Sequence, residues 1–307
     1  MTTDWETATA AELAAAAREP QSGAVVVGID ASDTSRAALR WAIGEARLLD
    51  APLTICHVHA VAGLAGTRPV SVNFGEETLR RARADAAHSL GAERVVAALR
   101  YGEPARALAR LSDGARMLVI GTHGSFAHGA RLYAPLSARI INRAHCPAVA
   151  IPLMAGHVGP FSGHVVVGVD GSAPARKALA FGFGYAAKHG LPLAAVHVTD
   201  EPAGDYWTDD ELLETHFAEE PHAEVLLATE AGPWEASYPD VHVKRAVYAG
   251  NVVPGLLRAA SGARLLVVGD RGRGLAASTV LGSVAQHMVG SVTCPVAVVK
   301  STTTERS

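Results

Sequence analysis

Apolar and polar positions along the chain alternate between two periods. Val25–Ile29 is an apolar run closing on Asp30, and Ser35–Leu49 then carries apolar residues at helical spacing. The same reading gives strands at Leu53–His59, Arg94–Leu99, Met117–Ile120 and Ala148–Ile151, with helices at Glu76–Leu90, Pro104–Leu111 and around Leu136–Arg143. The strands are short continuous apolar runs and do not alternate, as expected of a parallel sheet buried on both faces and joined by crossover helices. The order then recurs, with strands at Val165–Val169, Leu193–Val198, Val241–Val247, Leu265–Val268 and Val296–Val299.

This recurrence is a repeat at the residue level. VVVGIDASDTSRAALRWAI from Val25 returns as VVVGVDGSAPARKALAFGF from Val165, and AHCPAVAIP from Ala144 returns as TCPVAVVK from Thr293. Asp30 and Asp170 lie 140 residues apart, as do His57 and His197, whereas Gly102 and Gly250 lie 148 apart. The second copy therefore holds eight extra residues within 200–240, a stretch carrying Trp207, Trp234 and the acidic run Asp205–Glu220. A repeat this long is a duplicated domain, each copy with elements enough for its own core. The expected organisation is an extension over 1–22, a first domain over 23–155, a linker over 156–163 and a second domain over 164–301. The fold class is α/β, as two tandem domains, each a five-stranded parallel sheet flanked by helices.

Composition narrows the functional classes. Of 307 residues, 49% are hydrophobic and 19% charged, with a net charge of −3 and a pI near 6.5, so no basic excess recommends nucleic acid as a partner. No apolar run is long enough for a bilayer, and the acidic, Ala-rich start lacks the pattern of a secretory signal, so no membrane role and a cytoplasmic location are expected. Three widely spaced cysteines fit reduced thiols, and Cys146 and Cys294, at matching places before the last strand, read as small buried hydrophobes. His57 and His59 have no evident third metal ligand, and His57 recurs as His197, which favours a hydrogen-bonded structural role.

The chemistry lies where the copies differ. In an open parallel sheet, ligands bind beyond the carboxyl ends of strands where the strand order reverses, here at the first and fourth strands of each copy. In the second copy the fourth strand runs into GDRGRGLAASTVLGSVAQ, in which Gly269 and Gly272 are followed after nine residues by Gly282–Ser283. Glycines admit close approach of backbone N–H groups to an anion, and Gly282–Ser283 opens a helix whose N-terminus favours phosphate. Arg271 and Arg273 add forked cationic donors. In the first copy, GTHGSFAHGARLYAPLSAR keeps Gly121 and Gly124 but places Ala134–Pro135 where the second has Gly282–Ser283. Proline has no N–H, so a phosphate donor is lost there together with the serine hydroxyl.

The pattern G-x-x-G-x9-G-S, with VVVGVDGS at the first strand and AVHV at the second, closely resembles the ATP-binding class of universal stress proteins. From about Gly23 to Lys300 the chain resembles their tandem two-domain members. The resemblance implies two Rossmann-like (adenine nucleotide alpha hydrolase-like) domains, ATP as the ligand and a role in stress adaptation, usually as a dimer. It places Val169, Asp170 and Gly171 against adenine and ribose, Val198 on the base, and Gly269, Arg271, Gly272, Gly282, Ser283 and Val284 on ribose and phosphates. Asp270 stands where small Ser or Thr is common in the family and is a candidate to hold Mg²⁺. In the first copy Ile29, Asp30, Ala31, Val58, Gly121, His123 and Gly124 would form a weaker site, with Ser32 also kept.

The expected function is an ATP-binding regulator whose nucleotide occupancy is the signal, with an unknown protein effector and a homodimer of tandem chains as partners. Within one chain the two copies would pair through their last strands, Ala148–Ile151 beside Val296–Val299. Slow ATP hydrolysis and a nucleotide-independent dimeric scaffold are the alternatives. No catalytic base or Walker lysine is recognisable, since Lys177 and Lys300 lie outside the loop. The first-strand turns GIDASD and GVDGSA lack the glycine-rich SGGxDS loop of related adenylating enzymes.

Overall fold

A computed structural model describes residues 21–59, 71–122, 136–153, 158–199, 221–272 and 281–301. The chain divides into two units, Met1–Leu153 and Met154–Ser307. Unit 1 contains β1 (Val25–Ile29), α1 (Asp33–Leu48), β2 (Leu53–His59), α2 (Ser71–Leu90), β3 (Val95–Tyr101), α3 (Pro104–Leu111), β4 (Met117–Gly121), α4 (Leu136–Arg143) and β5 (Ala148–Ile151). Unit 2 contains β6 (Val165–Gly168), α5 (Ala173–His189), β7 (Leu193–Thr199), α6 (Pro221–Ser237), β8 (Val243–Ala249), α7 (Val252–Ala260), β9 (Leu265–Gly269), α8 (Ser283–Ser291) and β10 (Val296–Val299).

Within unit 1 the strands lie in the order β3-β2-β1-β4-β5, and within unit 2 in the order β8-β7-β6-β9-β10. All pairings inside each unit are parallel: Val25 of β1 faces Leu53 of β2 and Met117 of β4, and Val165 of β6 faces Leu193 and Leu265. The strand order reverses beside β1 and again beside β6, which puts a crevice beyond the carboxyl ends of β1/β4 and β6/β9. The first three residues of β1 and of β6 are fully buried, as strands covered on both faces must be.

Helices begin where polar caps allow. Ser32 caps α1 by accepting from the Ser35 N–H at 3.1 Å, and Ser172 caps α5 by accepting from the Ala175 N–H at 3.3 Å. Helix α1 lays Ala38, Ala42 and Ala46 on the sheet, all fully buried, and their small side chains bring the helix close to the strands. Unit 2 differs in an aromatic stack: Phe183 of α5, fully buried, meets Trp234 and Tyr238 at centroid distances of 6.4 and 6.0 Å. Trp234 thus closes the far side of α5, while Trp207 and the acidic run Asp205–Glu220 lie outside the described residues.

All three cysteines are buried and unpaired by disulfides. Burial pushes the Cys56 and Cys294 thiols up to about 12. Both should therefore stay protonated and inert to a thiol reagent at pH 8 in the folded protein and react once denaturant exposes them. The sign follows from the raised value: their contribution to stability is complete below the unfolded thiol's range near pH 9 and is lost as pH rises toward 12. Rapid labelling of two thiols in the native chain at pH 8 would contradict this.

Candidate functional site

The β6–α5 turn builds one wall of the unit 2 crevice. Val169 is buried, Asp170 is half-buried, and Gly171 takes φ of 75°, which an L side chain rarely adopts. The Asp170 Oδ1 accepts from the Ser172 N–H at 2.9 Å, so the carboxylate is held in place by the residue that caps α5. Its other oxygen meets the opposite wall: a Cβ built on Gly272 would lie 2.9 Å from Asp170 Oδ2. The two sequence candidates are thus neighbours, and a side chain at 272 would displace the carboxylate.

Gly269 carries a packing task of its own. Its built Cβ would stand 2.7 Å from the Cβ of Pro174 and 2.9 Å from that residue's carbonyl carbon. The same contact recurs in unit 1, where a Cβ on Gly121 would lie 2.6 Å from Thr34 Oγ1 and 2.8 Å from the Thr34 carbonyl carbon. Each glycine lets the end of the fourth strand seat against the first turn of the helix that follows the first strand. Thr34 and Pro174 sit 140 residues apart, and this shared repeat position was the signal available for the contact.

The third wall is the start of α8. Gly282 is the N-cap and supplies no side chain, so Ser283 and Val284, in the first turn, have backbone N–H groups without helical partners. Gly282 itself is placed by its N–H, which donates to the Asp270 carbonyl at 2.9 Å, and a Cβ there would come within 3.2 Å of the Arg271 Cα. The Gly282 amide is therefore used within the protein, and the anion-facing donors of this turn begin at Ser283. Val198 is buried at the end of β7, with both methyl groups 3.0 Å from a Cβ built on Gly255, so it packs toward α7.

Asp270 and Arg271 turn toward the end of β10. Asp270 is buried, its Oδ1 accepting from the Ser301 N–H at 3.1 Å and its Oδ2 from the Ser301 hydroxyl at 3.3 Å. Arg271 Nε lies 3.5 Å from Asp270 Oδ2, and its guanidinium also donates to the Ser301 hydroxyl. Lys177 of α5 donates to the Ser301 carbonyl. A carboxylate so engaged is not a ready Mg²⁺ ligand, and among the described residues no group of three His, Cys, Asp or Glu gathers as a metal site.

Unit 1 repeats the first wall. Asp30 Oδ1 accepts from the Ser32 N–H at 3.1 Å and from its hydroxyl at 2.6 Å, Ile29 is buried, Val58 is half-buried, and Ala31 adopts φ of 66°, the strained counterpart of Gly171. His123, Gly124, Ala134 and Pro135 lie outside the described residues, as does Arg273 of unit 2. His57 Nδ1 donates to the Ile29 carbonyl at 2.9 Å, and His197 Nδ1 to the Val169 carbonyl at 2.6 Å. A carbonyl can only accept, so Nδ1 carries the proton, and both rings pin the strand end that leads into the aspartate turn. This is the structural role their pairing in the repeat suggested.

Two segments of the chain, residues 22–152 and 162–300, match the universal stress protein family. The chain belongs to the universal stress protein family. Its tandem arrangement extends along whole relatives: a universal stress protein of Mycolicibacterium smegmatis is 35% identical over 297 residues, covering 90% of this chain and 96% of that one. Another, from Mycobacterium tuberculosis strain H37Rv, is 32% identical over 294 residues with the same coverage, 90% and 96%. A universal stress protein crystal structure from Archaeoglobus fulgidus DSM 4304 shares the fold with a TM-score of 0.64 at 17% identity, covering 91% of this chain and 97% of that one. In this universal stress protein both matched segments end with the last strand of a unit, β5 or β10. Among the described residues no helix is long and apolar enough to cross a membrane.

Proposed function

We propose that the chain binds an adenine nucleotide, ATP foremost, in the β6/β9 crevice of unit 2, and that occupancy rather than turnover is its output in stress adaptation. The observation that carries this reading is the meeting of three features at one strand-order reversal: the Asp170 carboxylate, the side-chain-free backbone of Gly272 against it, and the first turn of α8 opened by Gly282. Asp170 supplies a fixed acceptor for ribose or adenine donors. Ser283 and Val284 supply N–H groups, and Ser283 a hydroxyl, for phosphate, where the helix terminus favours negative charge by about 0.3–1 kcal/mol. Unit 1 is the poorer site in this reading, because Ala134–Pro135 replace the pair that opens α8. A homodimer of tandem chains and a protein effector are the partners proposed with it.

Mass spectrometry of small molecules released from the purified full-length chain, followed by calorimetric titration with ATP, tests the proposal. The expected result is an adenine nucleotide retained at about one tight site per chain, with any second site weaker. Absence of retained nucleotide together with no heat of ATP binding would overturn it. Two equally tight sites would leave nucleotide binding standing and remove the inequality between the units.

A further inference from the structure

We propose that Asp270, Arg271 and Ser301 form a counter-charge latch. It holds the crevice arginine beside β10 until a polyphosphate anion competes for it, and the exchange releases residue 301 at the exit of that strand. The inference rests on the nucleotide reading above and assigns that site a mechanical output. Arg271 has one backbone position and two destinations. Its Cα lies beside the α8 N-cap, within 3.2 Å of a Cβ built on Gly282, while its guanidinium faces Asp270 and Ser301.

The latch is pinned by backbone and closed by side chains. The Asp270 N–H donates to the Val299 carbonyl at 2.9 Å and its carbonyl accepts from Gly282 at 2.9 Å, so neither end of Asp270 need move when the side-chain contacts change. The contact between the two charges is the loose one: Arg271 Nε stands 3.5 Å from the carboxylate, an ion pair beyond good hydrogen-bond length. A phosphate offers the guanidinium a bidentate fork and more charge than one carboxylate. Once Arg271 leaves, a buried carboxylate loses the cation paired with it. It then gains from reaching water, and Ser301, bound to it through N–H and hydroxyl, moves with it.

The arrangement belongs to the second copy alone. The backbone bond recurs in unit 1, where the Thr122 N–H donates to the Ile151 carbonyl at 3.1 Å. At the positions of Asp270, Arg271, Ser301 and Lys177, however, the first copy has Thr122, His123, Leu153 and Ala37. The charged set is thus present only where the loop opens on Gly282–Ser283.

Amide hydrogen exchange at Ser301 in the full-length chain, resolved by NMR, tests the latch. Without nucleotide the Ser301 amide should be protected in wild type and should exchange faster in Asp270→Asn. Saturating ATP should raise wild-type exchange at Ser301, and Asp270→Asn should bind ATP about 2- to 5-fold tighter, since the ion pair no longer opposes binding. Ser301→Ala, which keeps the ion pair and removes only the hydroxyl that Arg271 donates to, should show a smaller tightening in the same direction if Asp270→Asn misfolds. ATP binding that leaves Ser301 protected, or protection unchanged in Asp270→Asn, would overturn the latch while leaving the nucleotide site intact. If ATP fails to bind at all, the nucleotide reading fails separately, and inorganic tripolyphosphate decides the latch: faster Ser301 exchange supports it and no change overturns it.

Discussion

Gly269→Ala should lower the unfolding midpoint of unit 2 by about 2–12 °C. The added Cβ would meet the Pro174 Cβ at 2.7 Å and its carbonyl carbon at 2.9 Å, both parts of a rigid ring and backbone that cannot rotate away. Either β9 or the first turn of α5 must shift, and overpacking of this kind costs about 1–3 kcal/mol. For a unit of this size each kcal/mol corresponds to about 2–4 °C. Gly184→Ala is the control, because a Cβ at its site within α5 would meet only the Tyr238 hydroxyl at 3.8 Å, an ordinary contact, and alanine is the better helix former by about 1 kcal/mol. Differential scanning calorimetry should therefore move the two variants in opposite directions. An unchanged midpoint for Gly269→Ala would mean that the seat of α5 on β9 is looser than the contact implies.

Asp170→Asn should weaken ATP binding about 10- to 100-fold, whereas Asp30→Asn should leave the tight site within about twofold of wild type. The first figure is the loss of a charge-assisted acceptor, about 1.5–3 kcal/mol. The pair is informative because both carboxylates share one folding contact, each accepting the N–H of the serine that caps the next helix, at 3.1 Å from Ser32 and 2.9 Å from Ser172, with Asp30 also taking the Ser32 hydroxyl at 2.6 Å. Stability losses should be similar in the two variants, so a difference in affinity reports the crevice itself. Equal affinity losses in calorimetric titration would show that the two units load alike and that the change to Ala134–Pro135 has no consequence for binding.

Strands were legible to within one or two residues because each is a buried apolar run, as at Leu53–His59 and Ala148–Ile151. Helix starts were less so. Helix α1 begins at Asp33, two residues before its apolar pattern, because Ser32 caps it through its side chain. Helix α2 begins at Ser71, five residues before the expected start at Glu76, and runs through Gly75, which the packing requires because a Cβ there would strike the His57 ring at 2.7 Å. Strand β8 starts at Val243, since Val241 first closes a turn onto the Tyr238 carbonyl at 3.0 Å.

The site divides along the same line. Gly272 and Gly282 were singled out by spacing and Asp170 by the family resemblance, and that Asp170 comes against Gly272 follows from a parallel sheet that brings strand ends together. The destination of the Asp270 and Arg271 side chains was not, because Ser301 lies 30 residues farther along the chain and only the pairing of β9 with β10 brings it near. The anchoring of Gly269 on Pro174 was hidden for the same reason, although the repeat offered it twice.

The central place of β6 sets an order of events for any ligand of the crevice. Strand β6 pairs with β7 some 28 residues later in sequence, but its other neighbour, β9, is made only 100 residues after it, Val165 facing Leu193 and Leu265. The crevice is absent while a new chain is still being extended through β7 and β8, and it appears only with the return across β6. A ligand bound there acts on the finished unit, so it should slow unfolding and leave the rate of folding unchanged. For cells under stress such a ligand would lengthen the working life of copies already made, without hastening the production of new ones.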